Sequence, residues 1–326
     1  MRDVAVVSFA KAELIGGDNT RNEVEILMPV VHEAIERAGI DKREIGFTCS
    51  GSCDYLQGQP FAFVTALDAI GAWPPIEESH VEMDAAWALY EAWVRLQHGD
   101  IDSALVYGFG KPSLGSLPDV FVAQLDPYYL QPLWPDAHSL AALQARALAE
   151  SGVAPDARSA TAVSTVPTAL QSEGVAPITD GAAAVVLAAG DVAQRLSPRP
   201  AWIAGVDHRS EPHHPGMRDL TRSASAELAA ERAGAFAGAP IEVAELHAQY
   251  AHEEAILRSA LRLGAGVRVN PSGGALAANP VMATGLIRIG EAAQRVIDGE
   301  ATRALAHAAS GPCLQQNLVC VLEARA

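Results

Sequence analysis

The sequence predicts an α/β protein in which helices pack on the faces of a mainly parallel sheet. Three observations carry that reading. Short apolar runs suited to buried strands alternate with amphipathic stretches at helical spacing. Glycines stand where several of those helices should stop. The alternation loosens after Lys111, resumes near Asp180 and continues through a second half of the chain.

Residues 3–9 form the first strand-like run. Residues 23–38 place Val24, Leu27, Val31 and Ile35 on one helical face, and Gly39 ends that helix. A further strand-like run leads to a turn at Gly51, and residues 61–70 read as a helix. Residues 81–83 run into a helix over 84–98 with Gly99 as its stop, and residues 103–107 are again strand-like. Prolines at 112, 118, 127, 132 and 135 mark an inserted loop region with one helix near 140–151. Regularity returns over 180–188. Beyond Pro200 come strand candidates at 201–206, 243–247 and 318–322, with helix candidates at 252–263 and 283–298. The expected division is an N-terminal half over 1–198, with the loop region at about 111–179 inserted, and a C-terminal half over 199–326.

With 326 residues, 49% of them apolar and 19% charged, the chain can bury a large core. Its formal net charge of −16 repels phosphate backbones, so nucleic acid is not an expected partner. A helix N-terminus or a local basic patch can still hold an anionic ligand. No apolar run reaches the roughly 18 residues of a membrane span, and no leader pattern opens the sequence, so the expectation is a cytoplasmic protein without membrane contact.

Cys49, Cys53, Cys313 and Cys320 lack paired zinc spacing and read as small apolar residues. His32-Glu33 and His252-Glu253 are not followed by the second histidine of a zinc-binding helix, and His213-His214 reads as part of a solvated, Pro-flanked loop. Gly108-Phe109-Gly110-Lys111 lacks the spacing of a phosphate loop. No metal is expected.

Five blocks, in order over nearly the whole chain, resemble the thiolase superfamily. Val81-Glu82-Met83-Asp84-Ala85-Ala86-Trp87-Ala88-Leu89-Tyr90 is similar to the strand-to-helix turn "D-A-A-C-A-S-G". Trp87 stands at the position of the nucleophilic cysteine, and Leu89 and Tyr90 replace small residues. Residues 99–108 resemble the segment that follows, and residues 180–187 the strand "D-G-A-A-A-V-V-L". Glu245-Leu246-His247-Ala248-Gln249-Tyr250 resembles "E-L-H-D-C-F" of sterol-carrier-type thiolases. Residues 270–277 match "N-P-x-G-G", and residues 278–285 stand for the loop "G-H-P-x-G-A-T-G". The resemblance implies two similar α/β halves in a five-layered αβαβα arrangement with a shortened loop domain. It also implies a dimer and an acyl-CoA site between the halves, with Ser272, Gly273 and Gly274 near the CoA.

The inherited chemistry does not carry over. A thiolase needs a thiolate at a helix N-terminus, and an indole offers only one N–H donor. Asn279 replaces the activating histidine, and an amide does not titrate near neutral pH. The second cysteine is expected around Ser310-Gly311-Pro312, and Cys313 falls out of that register. Three candidates remain by position: His247 as an oxyanion donor, Tyr250 as a general acid or base, and Asn279 as an amide donor. Structural hydrogen bonding or core packing is the alternative for each. Trp87 either lines the pocket or plugs the abandoned cavity, and Tyr90 and Trp93 follow it on the same helix. Gly311 is placed at the pocket wall.

Chains of the superfamily that lack the nucleophilic cysteine, as this one does, resemble the lipid-transfer proteins of actinobacterial sterol catabolism. That resemblance implies retro-aldol cleavage of a β-hydroxyacyl-CoA, with no covalently bound cofactor and the CoA thioester as substrate. An OB-fold acyl-CoA-binding protein is the implied partner. The alternatives are a non-catalytic subunit, paired as a heterodimer with a thiolase-like paralogue rather than as a homodimer, and a lipid or acyl-CoA carrier.

Overall fold

The computed structural model describes residues 2–14, 16–58, 60–152 and 174–325. Residues 153–173 of the expected loop region lie outside them. The N-terminal elements are β1 (Val4–Lys11), α1 (Glu23–Ala38), β2 (Phe47–Gly51), α2 (Asp54–Gln57), α3 (Phe63–Ile70), β3 (Glu78–Val81), α4 (Ala85–His98) and β4 (Ser103–Gly110). Two helices, α5 (Leu117–Ala123) and α6 (Ala137–Glu150), belong to the loop region. They are followed by β5 (Ile178–Thr179), β6 (Gly181–Ala189), α7 (Gly190–Leu196) and β7 (Ala201–Ser210). The remainder comprises α8 (Ala224–Arg232), β8 (Val243–Glu245), α9 (Ala251–Ala260), β9 (Arg268–Val269), α10 (Gly274–Ala277) and β10 (Asn279–Pro280). The chain closes with α11 (Thr284–Ile297), β11 (Arg303–Ser310) and β12 (Gln316–Glu323).

Ten strands form one sheet in the order β3-β2-β4-β6-β1-β7-β12-β11-β8-β9. From the β1/β7 seam outward, each side runs through the first, fifth, fourth, second and third strand of its own set. The seam itself is narrow, pairing Ala5 with Trp202 and Val6 with Ala201. The sheet is mixed rather than mainly parallel. β2 pairs in parallel with β3 and β4, as β8 does with β9 and β11, but the pairings between β4 and β11 across the centre are antiparallel. Helical crossovers govern only the outer strands. β12 instead returns directly from β11 through residues 311–315, and that tight return enforces antiparallel pairing.

The core is layered accordingly. α1 and α3 cover one outer face with Leu27, Val31 and Ala66 against Leu105, Tyr107 and Val186. α8 and α9 cover the other with Ala229 and Leu257 against Leu305 and Val319. α4 and α11 lie between the two strand sets and share a core with Val6, Val106, Ala306 and Leu318. Five layers, αβαβα, result, as the fold class predicted. Among the described residues no helix is long and apolar enough to cross a membrane.

Local chemistry fixes the element ends. Asn22 and Glu25 form a reciprocal capping box at the start of α1, and Gly39 takes the left-handed conformation at its end (φ 63°). Asp84 does more than cap α4. Its carboxylate accepts from the Ala86 N–H (2.9 Å) and, from the first turn of α11, the Gly285 N–H (2.8 Å) and Leu286 N–H (3.2 Å). Gly285 is required there, since a Cβ would lie 2.5 Å from the Asp84 Oδ1. Replacing Asp84 by Ala strands three buried donors, each costing about 1–3 kcal/mol. The expected outcome is a loss of several kcal/mol in denaturant unfolding, with Asp84→Asn losing less.

Candidate active site

A cavity of about 510 Å³ opens where the N-terminal turns of the central helices meet the loop region. His247, Tyr250, Asn279 and Gly311 all line it. His247 follows β8 and is held by β11 on two sides. Its N–H donates to the His307 carbonyl (3.2 Å), and its Nδ1 accepts from the Ala309 N–H (3.3 Å). Because Nδ1 is an acceptor, the ring proton resides on Nε2, which is buried beside the Asn279 side chain and meets no partner in good hydrogen-bond geometry. Burial, with the neighbouring His307 and Arg288, pushes the imidazole down to about 3, against a smaller opposing effect of Asn279. His247 is therefore a neutral N–H donor at physiological pH and a poor base.

Asn279 is oriented by Thr284, whose hydroxyl lies 2.7 Å from the amide oxygen and 3.0 Å from the Pro280 carbonyl. With Oδ1 turned to that hydroxyl, Nδ2 is left as the donor. The turn is fixed by β10 pairing with β5, in which the Asn279 N–H donates to the Pro177 carbonyl.

Tyr250 precedes α9, and the Ala176 N–H donates to the adjacent Gln249 carbonyl. Its phenol lies 3.2 Å from the His138 Nδ1 on α6. Burial, then Glu253, Asp136 and Cys313, push the phenol above its ordinary range, which makes Tyr250 a proton donor rather than a base.

The other expected residues lie elsewhere. Trp87 and Tyr90 are absent from the lining among the described residues. Trp87 sits 7% exposed in the central core, its ring edge-on to His208 at 6.4 Å, and Tyr90 packs on the same histidine at 4.7 Å. Glu82, Met83 and Asp84 are the members of that turn that reach the cavity. Ser272 is committed to a buried polar cluster. Its hydroxyl donates to Glu245 (2.6 Å) and accepts from Arg288, which pairs with Glu245 at 2.9 Å. Gly273 and Gly274 adopt positive φ beside it and do not line the cavity.

Sequence reasoning missed several lining groups. Glu253 stands on the first turn of α9. Its Oε2 accepts from the Gln249 (2.8 Å) and Tyr250 (3.2 Å) N–H groups, and burial raises the carboxyl to about 7 against those bonds. The available signal was an acid three residues after a chain turn, the N3 position of a helix. Cys313 also lines the cavity, with its Sγ on the Leu140 carbonyl (3.3 Å) and its thiol pushed up to about 12 by burial. His213, expected in a solvated loop, lines the cavity 3.6 Å from Asp126. Phe121, Leu125, Leu130 and Leu140 of the loop region supply an apolar wall.

No protein-family profile matches the sequence, and no curated protein matches it significantly. Its structure is similar to that of human mitochondrial 3-ketoacyl-CoA thiolase. The TM-score is 0.71 to that enzyme in complex with CoA, at 14% identity, covering 100% of this chain and 98% of the other. A second structure of the human enzyme gives a TM-score of 0.72 at 15% identity, with 100% and 99% covered. The chain has the thiolase fold.

The His247 arrangement has a spectroscopic consequence. Nitrogen-detected NMR should show a neutral ring protonated at Nε2, with no titration of this residue between pH 8 and pH 5. A midpoint near the ordinary histidine value would contradict the buried geometry.

Proposed function

We propose that this chain acts on acyl-CoA thioesters and cleaves a β-hydroxyacyl-CoA by a retro-aldol reaction, without a covalent cysteine intermediate. One observation carries the reading. A single cavity joins two buried donors, the His247 Nε2–H and the Asn279 amide, to the Tyr250 phenol, and its one cysteine among the described residues is held as a thiol. Paired donors suit the oxygen of an enolate, which develops charge as the carbon–carbon bond breaks. A protonated phenol suits a hydrogen bond that positions the β-oxygen while its own proton leaves to a base. A buried thiol of this kind does not suit acyl transfer.

The CoA-bound human thiolase supports a thioester as ligand. The described lining includes Glu82, Asp84, Asp126 and Glu253 but no lysine or arginine. Only the thioester and acyl portion therefore enters, and the phosphates remain outside. Steroid or other lipid side chains are the proposed substrates. The proposed setting is the cytoplasm, with the chain working as a homodimer or beside an OB-fold acyl-CoA-binding protein.

A second reading is favoured by exposed Tyr128, Tyr129, Leu133 and Trp134 on the loop region. In it, the chain pairs with a thiolase-like paralogue through that apolar surface and contributes no chemistry.

Purified protein, alone and with an OB-fold partner, should release ketone from a tertiary β-hydroxyacyl-CoA. Tyr250→Phe should slow release by roughly 10²-fold or more while the fold persists. Binding of the thioester without any ketone, in both settings, would favour the subunit reading.

A further inference from the structure

Retro-aldol cleavage needs a base for the β-hydroxyl proton, and the three residues first singled out do not supply one. His247 is too weakly basic, Tyr250 retains its proton, and Asn279 does not titrate. The remaining titratable groups of the lining divide clearly. Asp84 is consumed by three backbone N–H groups. Glu82 is exposed and accepts from the Asp54 N–H at 2.5 Å, and Cys313 donates to Leu140. Asp126 accepts from the Tyr129 N–H (2.6 Å) and lies beside His213, whose side chain is about half exposed. Glu253 differs from all of these. It is 5% exposed, one oxygen is anchored by two N–H groups, and Oε1 has no protein partner among the described residues.

We propose that Glu253 is the general base of this site, with Oε1 taking the β-hydroxyl proton of the bound thioester. This assignment rests on the retro-aldol reading. The O–H bond breaks towards Glu253, the oxygen pair forms the ketone C=O, and the Cα–Cβ bond breaks. Its electron pair becomes the enolate, whose oxygen is held by His247 and Asn279. Glu253 then returns the proton to Cα, giving the ketone and a shortened acyl-CoA with no oxidant or reductant. A carboxyl raised to about 7 is suited to both transfers. The polar groups around it are the Tyr250 phenol, the Cys313 thiol, and His252 with Gln144 of α6, while Arg218 contacts the Cys313 carbonyl (3.0 Å). Burial dominates the shift, opposed only by the two backbone donors.

Glu253→Gln is the discriminating variant, because its amide oxygen can still accept the Gln249 and Tyr250 N–H bonds. A base must be unprotonated, so wild-type kcat/KM for ketone release should rise with pH through about 7. The variant should lose about 10²- to 10⁴-fold in kcat and that rising limb, with binding of the β-hydroxyacyl-CoA and the melting temperature nearly unchanged. An active wild type whose variant keeps both rate and limb overturns the role of Glu253 and leaves the retro-aldol reading standing. A wild type that binds the thioester but releases no ketone overturns the reading and this role together. If the variant does not fold, the wild-type profile decides: a flat kcat/KM from pH 5 to pH 8 sinks the assignment.

Discussion

The two central helices start at the same place, and a single buried carboxylate makes that possible. An α-helix begins with backbone donors that have no partner within the helix, and here two such beginnings are enclosed in the middle of the molecule. Asp84 serves both, accepting from Ala86 on α4 and from Gly285 and Leu286 on α11. Burial pushes its carboxyl upward, and the three donors and Arg288 work against that. The Ala85 N–H donates to the Met282 carbonyl (2.9 Å) and stitches the same junction from the other side. Sequence segments two hundred residues apart are thereby joined at the floor of the cavity. Asn279 and Met83, close in sequence to these two helix starts, line the same cavity.

Behind that junction lies a buried charge pair, Arg288 with Glu245, sharing Ser272. Such pairs contribute little net stability, because desolvation offsets much of the attraction, but breaking one leaves an uncompensated charge. Their effect here is positional. Glu245 ends β8 two residues before His247, and Arg288 sits on α11 one turn beyond the Asp84 contact. The imidazole and the amide donor are thus tied to one rigid block.

Much of the fold was legible because it rests on local pattern. The helical face of residues 23–38, the stop at Gly99 and the apolar run at 180–188 all follow from spacing and glycine placement. Strand direction was not legible, since it depends on which distant strand becomes a neighbour. β11 was also missed, because alanines and a buried His307 give Arg303–Ser310 little β-branched character. In the site, His247, Tyr250 and Asn279 meet in one cavity, whereas Ser272 and Trp87 face other neighbours. Glu253 stayed hidden for a physical reason. A carboxylate in a helix's first turn is ordinary, and only enclosure by the loop region makes this one unusual.

α6 ties several of these facts together. From one face it sets His138 against the Tyr250 phenol, accepts the Cys313 thiol at the Leu140 carbonyl, and joins Gln144 to His252. Its Leu140 and Ala141 are also part of the cavity wall. The partner of the Tyr250 phenol and the wall of the cavity consequently belong to one helix. A change that unseats α6 therefore alters the Tyr250 contact, the Cys313 contact and the cavity wall together.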